Sequence, residues 1–239
     1  MVIPVHLTKV WLKNFFNRLE SYRFSVTLSA QKSLVIIMNY AIEFHDANYP
    51  FLNVTARKKA LKHSLLSVIE GLVIIKLGKQ EYAIEPGQIF WIPQGCLSSL
   101  TFLPNTRVHR CDFSVRLSDD FPQQAGFITP SVLLKALLDK LSTVESRSDI
   151  ELDLLAVVKH EVVTISPALS SSALSKVINQ WKPGGDVRIS RELCLVLTLR
   201  EARKMKLSGK KDADIVEALF AGNSEEYEQL CFLVFGEPL

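Results

Sequence analysis

The stretch "GQIFWIPQGCLSS", residues 87–99, decides how the rest of the chain is read. It reads as a strand, a corner and the start of a second strand, because an apolar β-rich run breaks at a Pro-x-Gly pair and then resumes. The glycines have a physical purpose, since tight turns between strands need a positive φ that glycine adopts without strain. The preceding "EGLVIIKLGKQEYAIEPG", residues 70–87, is a strand, a glycine turn and a second strand delivering the chain to that corner.

Outward from the corner, residues 22–116 are strand-like throughout. Runs such as "RFSVTL", "LLSVI", "SLTFL" and "RVHRCDFSVRL" are broken by Gly, Pro and Asn, which predicts a sandwich or barrel. After Pro122 the period changes to that of helices. "SVLLKALLDKLSTV" (131–144) sets Leu133, Leu134, Leu137, Leu138 and Leu141 on one face, which must be buried in the chain's own core or against a second copy. Helices are also predicted over 149–163 and 171–181, and "KPGGD" (182–186) reads as a linker. Beyond it, Thr198 and Glu201 have capping-box spacing and open a helix over 199–207. A short helix, a turn carrying Gly222 and a second helix from Ser224 then form a helix-turn-helix candidate. The expected fold class is α+β: an N-terminal barrel (1–125), a helical linker or dimerisation region (126–181) and a helical C-terminal region (182–239).

The chain has 239 residues, 48% hydrophobic, with net charge +3, enough for a packed core. No apolar run reaches the roughly 18 residues of a membrane span, and the N-terminus lacks a small-residue cleavage site, so a secretory signal is not expected. Four scattered cysteines (96, 111, 194, 231) with no C-x-x-C suit reduced thiols in a cytoplasm. Charge is uneven: ten basic against three acidic residues from Lys176 to Lys211 leave +7, whereas Asp212 onward has seven acids and no Lys or Arg. The basic stretch suits either nucleic acid or a solvated helical face.

Gly87, five residues, Pro93-x-Gly95, two residues and Ser98 resemble the second motif of the cupin barrels, with Ser98 where the family has a metal-binding histidine. Upstream stand only His63 and Glu70, without the family's His-x-His, so no metal and no cofactor is expected. His63, Trp91 and Ser98 are the candidate ligand-binding residues that the resemblance implies. His109 and Cys111 share a strand face, with no acid or oxyanion partner evident, so no catalytic residue is assigned and an enzyme is not expected.

The order of barrel, leucine-rich helices, linker and helix-turn-helix resembles the arabinose-regulator (AraC) family of bacterial transcription factors. Ala202 and Leu207 match its connecting helix. Ile215 and Ala218 match the first helix of its second helix-turn-helix, Gly222 the turn, Ser224 and Tyr227 the start of the next helix, and Phe235–Gly236 with Pro238 its close. The resemblance implies a barrel that senses a small-molecule effector or dimerises and a helical half that binds operator DNA. Arg188, Arg191, Arg200, Arg203, Lys204, Lys206, Ser224 and Tyr227 are the candidate DNA contacts, and the five leucines the candidate homodimer face. Two departures stand out: only 58 residues follow Trp181, where the family has two helix-turn-helices, and the last helix opens with Glu225, Glu226 and Glu228. The alternatives are a DNA-binding-deficient relative that binds another regulator and, third, a small-molecule cupin enzyme.

Overall fold

The computed structural model describes residues 41–185 and 189–239, so the strands expected before residue 41 and the candidate Arg188 lie outside the described residues. Tyr40–Leu239 forms one compact unit. Among the described residues, ten strands make two antiparallel sheets. The first has the order β1 (Ile42–Tyr49), β9 (Thr106–Phe113), β4 (His63–Glu70), β7 (Ile89–Ile92), β10 (Gly126–Ile128). The second runs β2 (Asn53–Val54), β8 (Leu97–Phe102), β5 (Val73–Leu77), β6 (Gln80–Ile84), with β3 (Lys58–Lys59) also on β8.

Alternation along the strands separates three cores. Both sheets contribute to the space between them, which Leu66, Val68, Val73, Ile75, Ile84, Phe90, Ile92, Leu100, Phe102 and Val108 fill. The other faces of the sheets are covered by helices. On the first sheet, Leu65, Ile89, Trp91, Cys111 and Phe113 pack beneath α1 (Val132–Leu141) and α2 (Asp149–Val163). On the second, Ile74 and Ala83 join α3 (Ala173–Gln180), α4 (Arg191–Leu207), α5 (Asp212–Phe220) and α6 (Ser224–Phe235). The result is four layers, helix, sheet, sheet, helix. None of the described helices is long and apolar enough to cross a membrane.

Helix starts follow local chemistry. Ser131, Ser148, Ser172 and Ser190 each accept a hydrogen bond from the backbone N–H three residues on, as does Asn223, satisfying a donor that a helix otherwise leaves open. Ser190 corrects one expectation. Helix α4 begins seven residues before Thr198, whose hydroxyl instead donates to the Cys194 carbonyl inside the helix. Arg191, Glu192 and the leucines of this run favour helix by themselves, and Leu193, Val196 and Leu197 are buried on its inward face.

The helical layer over the second sheet is fastened at β6. This edge strand has backbone groups facing away from β5, and Asn179 brackets Glu81: its amide oxygen accepts from the Glu81 N–H at 2.8 Å and its nitrogen donates to the Glu81 carbonyl at 2.6 Å. Ser175 Oγ accepts from the Ala83 N–H at 2.9 Å, and Arg200 of α4 reaches the Glu81 carboxylate at 3.0 Å. At the far end of the same layer, Leu52 N–H donates to the Val234 carbonyl at 2.7 Å. Gly236, with φ +77°, lets the Phe51 ring approach to where a Cβ would stand 2.7 Å from it.

The leucine stripe faces inward. Leu134, Leu137, Leu138 and Leu141 are buried against the first sheet and α2, while Leu133 is 49% exposed. The expectation that these five form a homodimer face is corrected to a core role for four of them, because the apolar face finds its cover within the chain. Leu137→Glu with Leu141→Glu would bury two carboxylates without partners, each costing several kcal/mol, against a typical domain stability of about 5–15 kcal/mol. The expected outcome is an unfolded chain by circular dichroism; a folded monomer would return the stripe to an interface.

His109 sits on the same outer sheet face, buried, edge-on to Phe44 with centroids 5.4 Å apart, and neither ring nitrogen makes a hydrogen bond among the described residues. Desolvation lowers its pKa below 6.5, Asp46 and Asp139 opposing the shift and Arg107 adding to it. Desolvation lowers that of His63 as well. A depressed histidine pKa means that the folded chain binds fewer protons than the unfolded chain below about pH 6.5, so stability rises with pH through that window. The urea midpoint should therefore fall between about pH 7.5 and 5.5, and His109→Leu should fall less than the parent; equal slopes would remove His109 as a cause.

Candidate functional site

The corner at residues 87–99 forms as expected. Gly87 and Gly95 take φ of +81° and +76°, and the Gly95 N–H donates to the Ala60 carbonyl at 2.8 Å. It does not gather the three candidate ligand residues. The His63 ring stacks on Trp91 at 5.6 Å and against Phe121 at 5.0 Å, with Nδ1 accepting from the Gln94 N–H at 3.1 Å. Trp91 Nε1 donates to the Pro122 carbonyl at 2.8 Å. Both belong to the aromatic group on the outer face of the first sheet. Ser98 lies on the second sheet, on the face of Leu100 and Phe102 that meets the inter-sheet core, opposite Leu77 and Lys58 in register. The ligand set His63, Trp91 and Ser98 is thus corrected, because strand parity puts the first two on the opposite side of a sheet from the barrel interior. His63 and Ser98, separated by the first sheet, do not converge as a metal's ligands would have to, and the Trp91 indole offers a metal no lone pair. Among the described residues no group of three His, Cys, Asp or Glu is arranged to hold a metal ion. Cys111 is fully buried and desolvation pushes its thiol well up, so thiolate chemistry is closed to it.

A polar cluster that the sequence reading missed lies at one end of the inner face. Lys62 Nζ is 2.6 Å from Glu43. Arg110 donates to Asp112 at 2.8 Å and to Ser64 Oγ at 3.0 Å, and the Ser64 hydroxyl donates to Asp112. His45 Nε2 stands 3.8 Å from Glu43 and 4.0 Å from Asp112. Glu43 and His45 alternate with Ile42 and Phe44, so the polar face of β1 was visible; its pairing with β9 was not.

A cleft of about 600 Å³ opens where the β1–β2 turn meets the end of α4 and the segment after α6. Tyr49, Phe51 and Phe235 supply rings, Asn48 and Asn53 amides, and Arg203 and Lys206 cations. The Arg203 guanidinium lies 5.6 Å from the Phe235 ring centroid, a cation–π contact in a half-exposed site. That volume is within the usual range for small-molecule sites.

The candidate DNA contacts separate into two groups. Arg200 is committed to Glu81, with both side chains under a fifth exposed, and Tyr227 is buried beside Phe220 at 5.1 Å. Both expectations are corrected: a paired, part-buried guanidinium and a core phenol do not reach a phosphate. Lys204 pairs with Glu201 at 2.9 Å and Lys206 with Asp212, while Arg203 leans on Phe235. Arg191 and Ser224 are exposed, as are three lysines outside the candidate list, Lys182, Lys210 and Lys211, and none of these lysines nor Arg191 makes an ion pair among the described residues. Helices α5 and α6 form the expected pair. Their turn is Ala221 (φ +49°), Gly222 (φ +81°) and Asn223, which caps α6.

Among solved structures, an apo ToxT variant from Vibrio cholerae is similar at 10% identity with TM-score 0.40, over 83% of this chain and 90% of that one. Unsaturated fatty acid bound wild-type ToxT from the same organism matches at 10% identity with TM-score 0.37, over 84% and 94%. A cupin-2 domain containing protein from Shewanella frigidimarina matches at 15% identity with TM-score 0.29, over 39% and 91%. No curated protein sequence matches the chain. Residues 39–140 match the family model of the AraC-like ligand binding domain.

Proposed function

We propose that this chain is an AraC-type transcription regulator, with a non-catalytic barrel as its sensing half (1–125), a connecting region (126–181) that begins with strand β10 of the first sheet and is otherwise helical, and an output half at 182–239. The observation that carries this reading is the α5–turn–α6 pair, with three residues in its turn, following a barrel whose sequence matches the AraC-like ligand binding domain. The inter-sheet space is filled with side chains. On this reading a small-molecule effector therefore occupies the cleft between Tyr49, Phe51, Arg203 and Phe235, where it touches the barrel and the output helices together.

Contact with DNA falls to the exposed, unpaired cations Lys182, Arg191, Lys210 and Lys211. Arg188 and Ser224 join them as candidates. Four phosphate contacts imply that affinity for duplex DNA drops on the order of a hundredfold between about 50 and 200 mM salt. Fluorescence anisotropy with a labelled duplex of about 30 base pairs reads this directly. Lys210→Glu with Lys211→Glu should cut the salt slope by about half or more without moving the melting midpoint, since exposed charges contribute little to stability.

A second reading, a regulator that acts by binding another protein, is favoured by a different observation: from Asp212 onward the chain has seven acids and no Lys or Arg. Wild-type protein with no affinity for DNA at about 50 mM salt, where backbone attraction is strongest, would overturn the first reading in favour of this one.

A further inference from the structure

We propose that the outward face of α5 and α6 is a docking surface for a basic, amphipathic segment of another protein. The proposal rests on the second reading above and gives it a face and a partner chemistry. The two helices bury Ile215, Val216, Phe220, Tyr227, Cys231 and Val234 in the core they share with α4. What remains outside is of one sign. Asp214, Glu217, Glu225, Glu226 and Glu228 are exposed, and none pairs with a Lys, Arg or His among the described residues. Favourable interaction with a helix N-terminus accounts for Glu225 and Glu226 in the first turn of α6 and for Asp214 in the first turn of α5, but not for Glu217 or Glu228.

Within this field stands Phe232, 56% exposed. It follows Glu225 by seven residues and Glu228 by four, so the three lie along one stripe of α6. Scattered apolar residues at a surface are ordinary. An aromatic ring on the same stripe as two unpaired carboxylates has a more specific use: it supplies the apolar anchor of an interface, while the acids steer a partner of opposite sign. A phosphate backbone is repelled by the same charges. The partner that fits is a helix or loop carrying lysines or arginines on one side and aliphatic residues on the other.

The test uses the full chain and a labelled synthetic peptide of about 15 residues built from Leu and Lys in amphipathic order, at about 100 mM salt where surface attraction is already screened. Comparison peptides replace Leu by Ser or Lys by Glu. Binding of the Leu/Lys peptide should weaken at least about tenfold in Glu225→Lys with Glu228→Lys and in Phe232→Ser, the size of a lost interface anchor. Glu225→Gln with Glu228→Gln should weaken it as well while keeping side-chain shape. Each of these side chains is mostly solvent-exposed, and unchanged circular dichroism would verify the fold. Equal binding by parent and variants would overturn the assignment of this face and leave the protein-partner reading standing. Failure to bind any of the peptides would overturn both. Self-association in sedimentation that the same variants abolish would assign the face to a second copy instead, and duplex DNA binding weakened by Phe232→Ser would assign it to DNA; either result overturns the proposal.

Discussion

An edge strand must satisfy the backbone groups on its open side, and in this chain β6 does so with helices rather than with another strand. The Glu81 and Ala83 N–H groups donate to Asn179 and Ser175, and the Glu81 carbonyl accepts from Asn179. The Ala83 bond is buried, and leaving that N–H unpaired there would cost about 1–3 kcal/mol, while the more exposed pair of bonds at Asn179 fixes the direction of α3 along the strand. The Glu81 side chain then receives Arg200, which sets the position of α4, and α5 and α6 follow because they share a core with α4. One short strand thereby determines where the whole C-terminal layer sits, and covers an edge that would otherwise invite pairing with another chain.

The same arrangement explains why the output half is read differently in sequence and in structure. By spacing alone, Arg200, Arg203 and Lys204 form a basic face on a helix. In the fold, Arg200 is spent on a partner 119 positions away, Arg203 lies over Phe235, and Lys204 pairs within its own helix. Among the described residues of this layer, free positive charge is left at Lys176 on α3 and at Lys182, Arg191, Lys210 and Lys211 near the ends of α3, α4 and α5, while the outward faces of α5 and α6 are negative. Two surfaces of opposite sign on one small helical layer suit two different partners.

Much of the fold was legible beforehand. The corner at 87–99, the hairpin before it and the Gly222 turn each rest on local chemistry and form where expected, whereas the change of period comes later than Pro122, because Gly126–Ile128 adds a strand to the first sheet and the first helix begins at Val132. What local chemistry does not carry is the other side of a contact. The leucine stripe of α1 announced that a face must be buried but not against what, and a sheet in the same chain covers it. His63, Trp91 and Ser98 looked like a set until strand parity put them on opposite sides of a sheet. The start of α4 was hidden because Thr198 and Glu201 offer capping-box spacing inside the helix, whereas the residue that caps it is Ser190.

The central claim, that β6 fastens the helical layer to the barrel, is tested most directly by amide hydrogen exchange at Glu81 and Ala83. With Asn179 and Ser175 in place, both amides should exchange only on the slow timescale of global unfolding, together with the central strand residues Ile74 and Ile75. Exchange at Glu81 and Ala83 as fast as at an open sheet edge, with Ile74 and Ile75 still protected, would show that the helices do not hold β6 and would contradict the account.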